Sequence, residues 1–138
     1  TAKRRKKLQS LAASLPKPKI YGPPEGNVLL VGWGSTEGPI REAVDRSRAA
    51  GDSVSSINLR HISPMPNGLE DIFSGFNHVV VVEMNDEGLY GYGQLAAMLR
   101  ARYADPKIRA VNKVDGLTFK VKEIIERVKA VVTAAKKA

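Results

Sequence analysis

The residues best placed to do chemistry sit where apolar runs end. Val28-Leu29-Leu30-Val31 leads into Gly32-Trp33-Gly34-Ser35-Thr36-Glu37-Gly38, and a helical pattern begins directly after. A glycine-broken turn that opens a helix offers unpaired N–H donors and the positive end of the helix dipole, so an anion is physically welcome there. Gly34, Ser35 and Thr36 are the candidate anion contacts. Several details oppose a nucleotide. The spacing Gly32-x-Gly34-x-x-x-Gly38 is not the GxGxxG of dinucleotide sites, Trp33 fills the turn, and Glu37 puts a negative charge into the first helical turn. Arg60, not an acid, comes after the second predicted strand, Ser53 to Leu59, so nothing there would hold a ribose. No Gly-Lys-Ser/Thr occurs, which excludes a P-loop. A structural turn therefore outweighs a small-anion or nucleotide-binding module, which stays open as the alternative.

Two histidines are available. His61 falls at the expected carboxyl end of the second strand, where a general base could stand, but no serine or carboxylate has a fixed sequence relation to it. His78 opens the strongest apolar run and reads as structural. Two polar loops should converge at one sheet edge, with Glu83, Asn85, Asp86 and Glu87 in one and Asn112, Lys113 and Asp115 in the other. Asp86, Glu87 and Asp115 could chelate a divalent cation, although Asn-Asp-Glu-Gly is also a common solvated turn, and the turn is the favoured reading. Tyr90-Gly91-Tyr92-Gly93 is more informative, because tyrosine is enriched at interfaces. Tyr90, Tyr92, Asn85 and Asn112 are accordingly the interface candidates, and a homodimer is one contact they could serve. The bland alternative is that the tyrosines cover the local core. No cysteine occurs, so disulfides, thiolate metal sites and cysteine nucleophiles are excluded.

Positioning these loops requires a regular frame. Val28 to Trp33 and His78 to Met84 are continuous apolar runs, the pattern of strands buried on both faces. Ser53 to Leu59 and Ile108 to Val111 read as two further strands. Between them lie helical patterns: from a cap at Thr36 to about Ala50, a short one carrying Leu69, Ile72, Phe73 and Phe76, then Gln94 to Tyr103, then Val121 to Ala135. The first of these should bury Ile40, Ala43, Val44 and Ser47 and close at Gly51. Strand and helix alternate four times, which predicts a three-layer α/β/α domain with a mostly parallel sheet of four to five strands and right-handed crossovers.

The formal charge of +8 is concentrated at the start of the chain. Lys3, Arg4, Arg5, Lys6, Lys7, Lys17 and Lys19 precede any acid, and the remainder of the chain is nearly balanced. A cluster of this kind can meet nucleic acid, but without aromatic interleaving the solvated arm is the stronger reading. Leu8, Leu11, Ala12 and Leu15 share one helical face until Pro16 and Pro18 end it. Residues 1–19 thus read as a basic amphipathic linker helix and Pro-rich connector cut from something longer, and 20–138 as the globular domain. No apolar run is long enough to span a membrane as a helix, and a cytoplasmic location is the expectation.

The ordered series VLLVGWGSTEGPIREAV, INLRHISPMP, VVVVEMN, GQLAAMLRARY and VNKVDGLTFKVKEI resembles the carboxyl-terminal domain of the alpha subunit of 2-oxoglutarate:ferredoxin oxidoreductases, in the thiamine-diphosphate-dependent 2-oxoacid:acceptor family. The likeness runs from about Ile20 to Ile125. It implies a fold like the transketolase carboxyl-terminal domain, with strand order second–first–third–fourth and Ile20-Tyr21 as a short antiparallel edge beside the second. For the whole enzyme it implies thiamine diphosphate, Mg²⁺ and iron–sulfur clusters, CoA and ferredoxin, and oxidative decarboxylation of a 2-oxoacid. For this fragment it implies no cofactor and no catalytic residue. Its partners would be the other alpha-subunit domains and the beta subunit. One departure stands out: Asp86 to Tyr92 lie between Glu-Met-Asn and Gly-Gln-Leu, which the family often joins almost directly.

Overall fold

The computed structural model describes residues 18–33, 37–59, 68–84, 99, 103, 107–113 and 120–137. Four parallel strands form one sheet: β1 (Gly26–Trp33), β2 (Val54–Leu59), β3 (Phe76–Met84) and β4 (Ile108–Lys113), in the order β2-β1-β3-β4. This is the strand order that the resemblance implies. Three helices are described: α1 (Glu37–Ala49), α2 (Leu69–Ser74) and α3 (Val121–Lys137).

The apolar runs behave as their lack of alternation demands. Leu29 and Val31 on β1, with Val79 and Val81 on β3, face one layer that contains Phe73, Leu69 and Leu99. Val28, Leu30, Val80 and Val82 face the other, beneath Ile40 and Val44 of α1 and Ile124 and Val128 of α3. Both faces of the two central strands are therefore covered by apolar side chains, as a helix-flanked parallel sheet requires. The α1 stripe is the one its spacing predicts, with Ile40, Ala43, Val44 and Ser47 buried. Glu37–Arg41 and Glu42–Arg46 ion pairs at 2.8 and 2.7 Å line its exposed side. The helix closes at Gly51, whose φ of 92° lets its N–H reach the Arg48 carbonyl while the Asp52 N–H reaches that of Ser47.

Several boundaries differ from the sequence expectation: β1 begins at Gly26 rather than Val28 and the last helix runs to Lys137 rather than Ala135, and two further differences have an identifiable cause. Phe76 continues the i, i+3 spacing from Phe73, yet it opens β3, so the strand begins two residues ahead of His78. The cause is Gly75. Its carbonyl accepts from the Gly26 N–H at 3.0 Å, and a Cβ there would lie 2.8 Å from the Pro24 carbonyl oxygen. Backbone packing at that point turns the chain into the sheet before the helix can add another turn. β4 also runs on to Lys113, the residue expected to start a turn, because register with β3 continues through Met84. The linker helix expected before Pro16 lies outside the described residues, as does most of Gln94 to Tyr103. Leu99 and Tyr103 are described and have helical backbone.

Candidate functional site

In parallel α/β sheets the strands' carboxyl ends form the working edge. Here that edge presents Trp33 at the end of β1, Asn58 and Leu59 at the end of β2, Glu83 near the end of β3, and Glu37 opening α1. Trp33 pairs in register with Leu59, and Glu83 with Asn112. By strand alternation Trp33 shares the face of Leu29 and Val31. It is 50% exposed, while Leu59 beside it is fully buried and Glu83 is only 5% exposed.

Among the residues singled out from the sequence, Gly34, Ser35, Thr36, His61, Asn85, Asp86, Glu87, Tyr90, Tyr92 and Asp115 lie outside the described residues, as does the arm Lys3 to Lys7. Asn112 lies within β4. His78 is the third residue of β3, half-buried and level with Val28. Sequence spacing gives Trp33 no role beyond filling the turn. The signal for more is its position, a large aromatic directly after a fully buried run.

On the α1 side of this edge a chain of polar contacts ties the incoming segment to the domain. Tyr21 makes an antiparallel bridge to Ser56, donating its N–H to the Ser56 carbonyl at 2.7 Å and accepting the Ser56 N–H at 3.0 Å. This is the short antiparallel edge expected at Ile20-Tyr21. The Tyr21 hydroxyl donates to Asp45, with oxygens at 2.9 and 3.1 Å. The Arg41 guanidinium stands 5.0 Å from the centre of the Tyr21 ring. Arg41 in turn pairs with Glu37, whose other oxygen lies 3.5 Å from the Asn58 amide nitrogen. The Asn58 carbonyl oxygen is buried with no hydrogen-bond partner among the described residues. Pro23 is fixed as well, its carbonyl accepting from the Ser55 hydroxyl at 2.7 Å.

The bond to Asp45, then desolvation and the Asp45 charge, raise the Tyr21 hydroxyl above its usual 10.0, while Arg41 pulls it down. The folded value is thus the higher one, so the contribution is present below tyrosine's ordinary range and is lost as pH rises through the raised value. Tyr21→Phe should lower the melting temperature by the same small amount across neutral pH. The gap between the two proteins should close as pH climbs past about 10. Paired thermal melts between about pH 7 and pH 11 check this.

A cavity of about 300 Å³ opens at the other end of the sheet, between α1 and α3 against β1, lined by Leu30, Ala43, Ile124, Val128 and Val132 among others. Its mouth carries Lys129 and Asp52, 3.9 Å apart. It has an apolar floor and a polar mouth that includes Asn27, Ser53 and Thr133, and it lies remote from the carboxyl edge. Among the described residues no group of three His, Cys, Asp or Glu side chains could hold a metal ion.

Comparison with known proteins decides the family. The family described as pyruvate:ferredoxin oxidoreductase core domain II matches residues 26–124. The chain belongs to this family. The core domain II match spans all four strands and reaches Ile124 in α3. A 2-oxoglutarate oxidoreductase subunit KorA from Mycobacterium tuberculosis is 38% identical over 100 residues, which is 72% of this chain and 14% of that protein. A 2-oxoglutarate:ferredoxin oxidoreductase from Magnetococcus marinus, solved with 2-oxoglutarate, coenzyme A and succinyl-CoA bound, superposes with a TM-score of 0.79 at 31% identity. That match covers 94% of this chain and 22% of the Magnetococcus chain. A split-gene transketolase superposes with a TM-score of 0.64 at 18% identity over 83% of this chain and 41% of its own, which shows the shared fold. This core domain II is thus a domain of the 2-oxoacid:ferredoxin oxidoreductase alpha-subunit type, and it spans less than a quarter of the KorA and Magnetococcus chains.

Proposed function

We propose that this domain docks and helps assemble a thiamine-diphosphate-dependent 2-oxoacid:ferredoxin oxidoreductase, and that its own residues are not catalytic. The whole enzyme would convert 2-oxoglutarate or a related 2-oxoacid to its acyl-CoA and pass the electrons to ferredoxin. Partners of this domain would be the other alpha-subunit domains and the beta subunit, with Asn85, Tyr90, Tyr92 and Asn112 as contact candidates. The observation that carries the reading is coverage: 94% of this chain aligns within 22% of an oxidoreductase chain.

The test is deletion. An alpha subunit lacking residues 20–138, co-expressed with its beta subunit, should elute from size exclusion as unassembled species with no turnover. Unchanged subunit association after deletion would overturn the proposal.

A further inference from the structure

The cavity between α1 and α3 follows from short side chains on both helices. The buried stripe of α1 carries Ala43 and Ser47 there, and α3 answers with Val128 and Val132. These side chains are too short to fill the space between the helices, which opens to about 300 Å³ above Leu30 of β1. An opening of that size forfeits dispersion contacts that a bound apolar group would restore. It also falls within the range of small-molecule sites, which combine an apolar lining with a few placed polar groups.

The mouth decides what such a molecule must carry. Asn27 and Ser53 are engaged there, the Asn27 N–H donating to the Ser53 hydroxyl oxygen at 3.1 Å and the Asn27 side-chain oxygen accepting from the Asn77 amide at 3.1 Å. The charged side chains that line the opening are Asp52, just after α1, and Lys129 on α3. They stand 3.9 Å apart, too far for a hydrogen bond, so neither charge is spent on the other. Arg48, at the same end of α1, is turned onto the Val54 carbonyl at 3.2 Å.

We infer that this cavity binds an α-amino acid with an aliphatic side chain. The side chain sits between the helices, the ammonium meets Asp52 and the carboxylate meets Lys129. A head with a single charge would be set against its like, a carboxylate against Asp52 or an amine against Lys129. A zwitterion meets opposite charge at both. The inference goes beyond the docking role, since the cavity lies remote from the carboxyl edge.

Isothermal titration calorimetry on the assembled enzyme tests this, with L-leucine as the probe. Leucine should saturate at one molecule per alpha subunit. The analogues 4-methylpentanoate and 3-methylbutylamine keep the apolar body and lose one charge, and each should bind at least about tenfold more weakly. Two variants assign the site. Ser47→Leu fills the opening and should abolish binding. Lys129→Met keeps the cavity and changes an exposed position, so it carries the test alone where Ser47→Leu does not assemble. It should weaken leucine at least about tenfold and tighten 3-methylbutylamine. No saturation below about 10 mM leucine, an analogue binding as well as leucine, or leucine binding unchanged in Lys129→Met would overturn the inference. None of these outcomes depends on whether deleting the domain prevents assembly, so the two proposals fail separately.

Discussion

Phe73→Ala should lower the unfolding free energy by about 3–5 kcal/mol and the melting temperature by roughly 10–20 °C. Phe73 is 2% exposed and lies at the centre of the layer formed by Leu29, Val31, Val79 and Val81. Its ring meets that of Tyr103 edge-on, with centroids 5.7 Å apart and planes at 83°. Truncation removes the apolar burial, the ring pair and the volume between them. The surrounding strands cannot close that gap, because each is hydrogen-bonded on its neighbour. The loss should also release α2, a six-residue helix too short to persist without packing. Its last turn is held by Lys107, whose ammonium donates to the Phe73 carbonyl at 2.7 Å. Urea unfolding monitored by circular dichroism checks the magnitude, and a change below about 1 kcal/mol would contradict this account of the layer.

Ile124→Ala should cost about 2–4 kcal/mol, on the opposite face of the sheet. Ile124 is fully buried and fixes the first turns of α3 over Leu30, Val80 and Val82. It also lines the cavity of about 300 Å³ beneath α1 and α3. Removing its side chain therefore enlarges an existing gap, with few atoms nearby that could move in to fill it. A second measurement separates loss of packing from global collapse. Hydrogen exchange should speed up along α3 and at the α1 face, while the layer around Phe73 keeps its protection in the native state.

The frame of this domain is legible in the sequence because its strongest signals are local. An uninterrupted Val79-Val80-Val81-Val82 fits only a strand covered on both sides, and it is the centre of β3. The α1 stripe, the order of the strands and the antiparallel touch at Tyr21 are legible for similar reasons or from the resemblance. What escapes is set by contacts distant in sequence. Nothing local distinguishes Phe76 on a helix from Phe76 on a strand. The close approach of Gly75 to Pro24 decides it, and those residues are 51 positions apart. Tyr21 and Asp45 are 24 apart, so no spacing rule could pair them. The apolar run before Trp33 and the turn after it account for that residue in sequence terms, and its half-exposed place at the sheet edge is legible only in the fold.

The course of α3 has a practical consequence. A helix that comes after a parallel strand returns antiparallel to it, so α3 sets out from the side of Trp33 and finishes at Lys137 beside the opposite rim. The polypeptide thus arrives at one pole of the sheet and leaves at the other, roughly 20–25 Å away for strands of this length. An affinity handle or a surface tether attached behind Lys137 would hold the molecule by its far end, with the indole pole turned outward to meet whatever is offered to it.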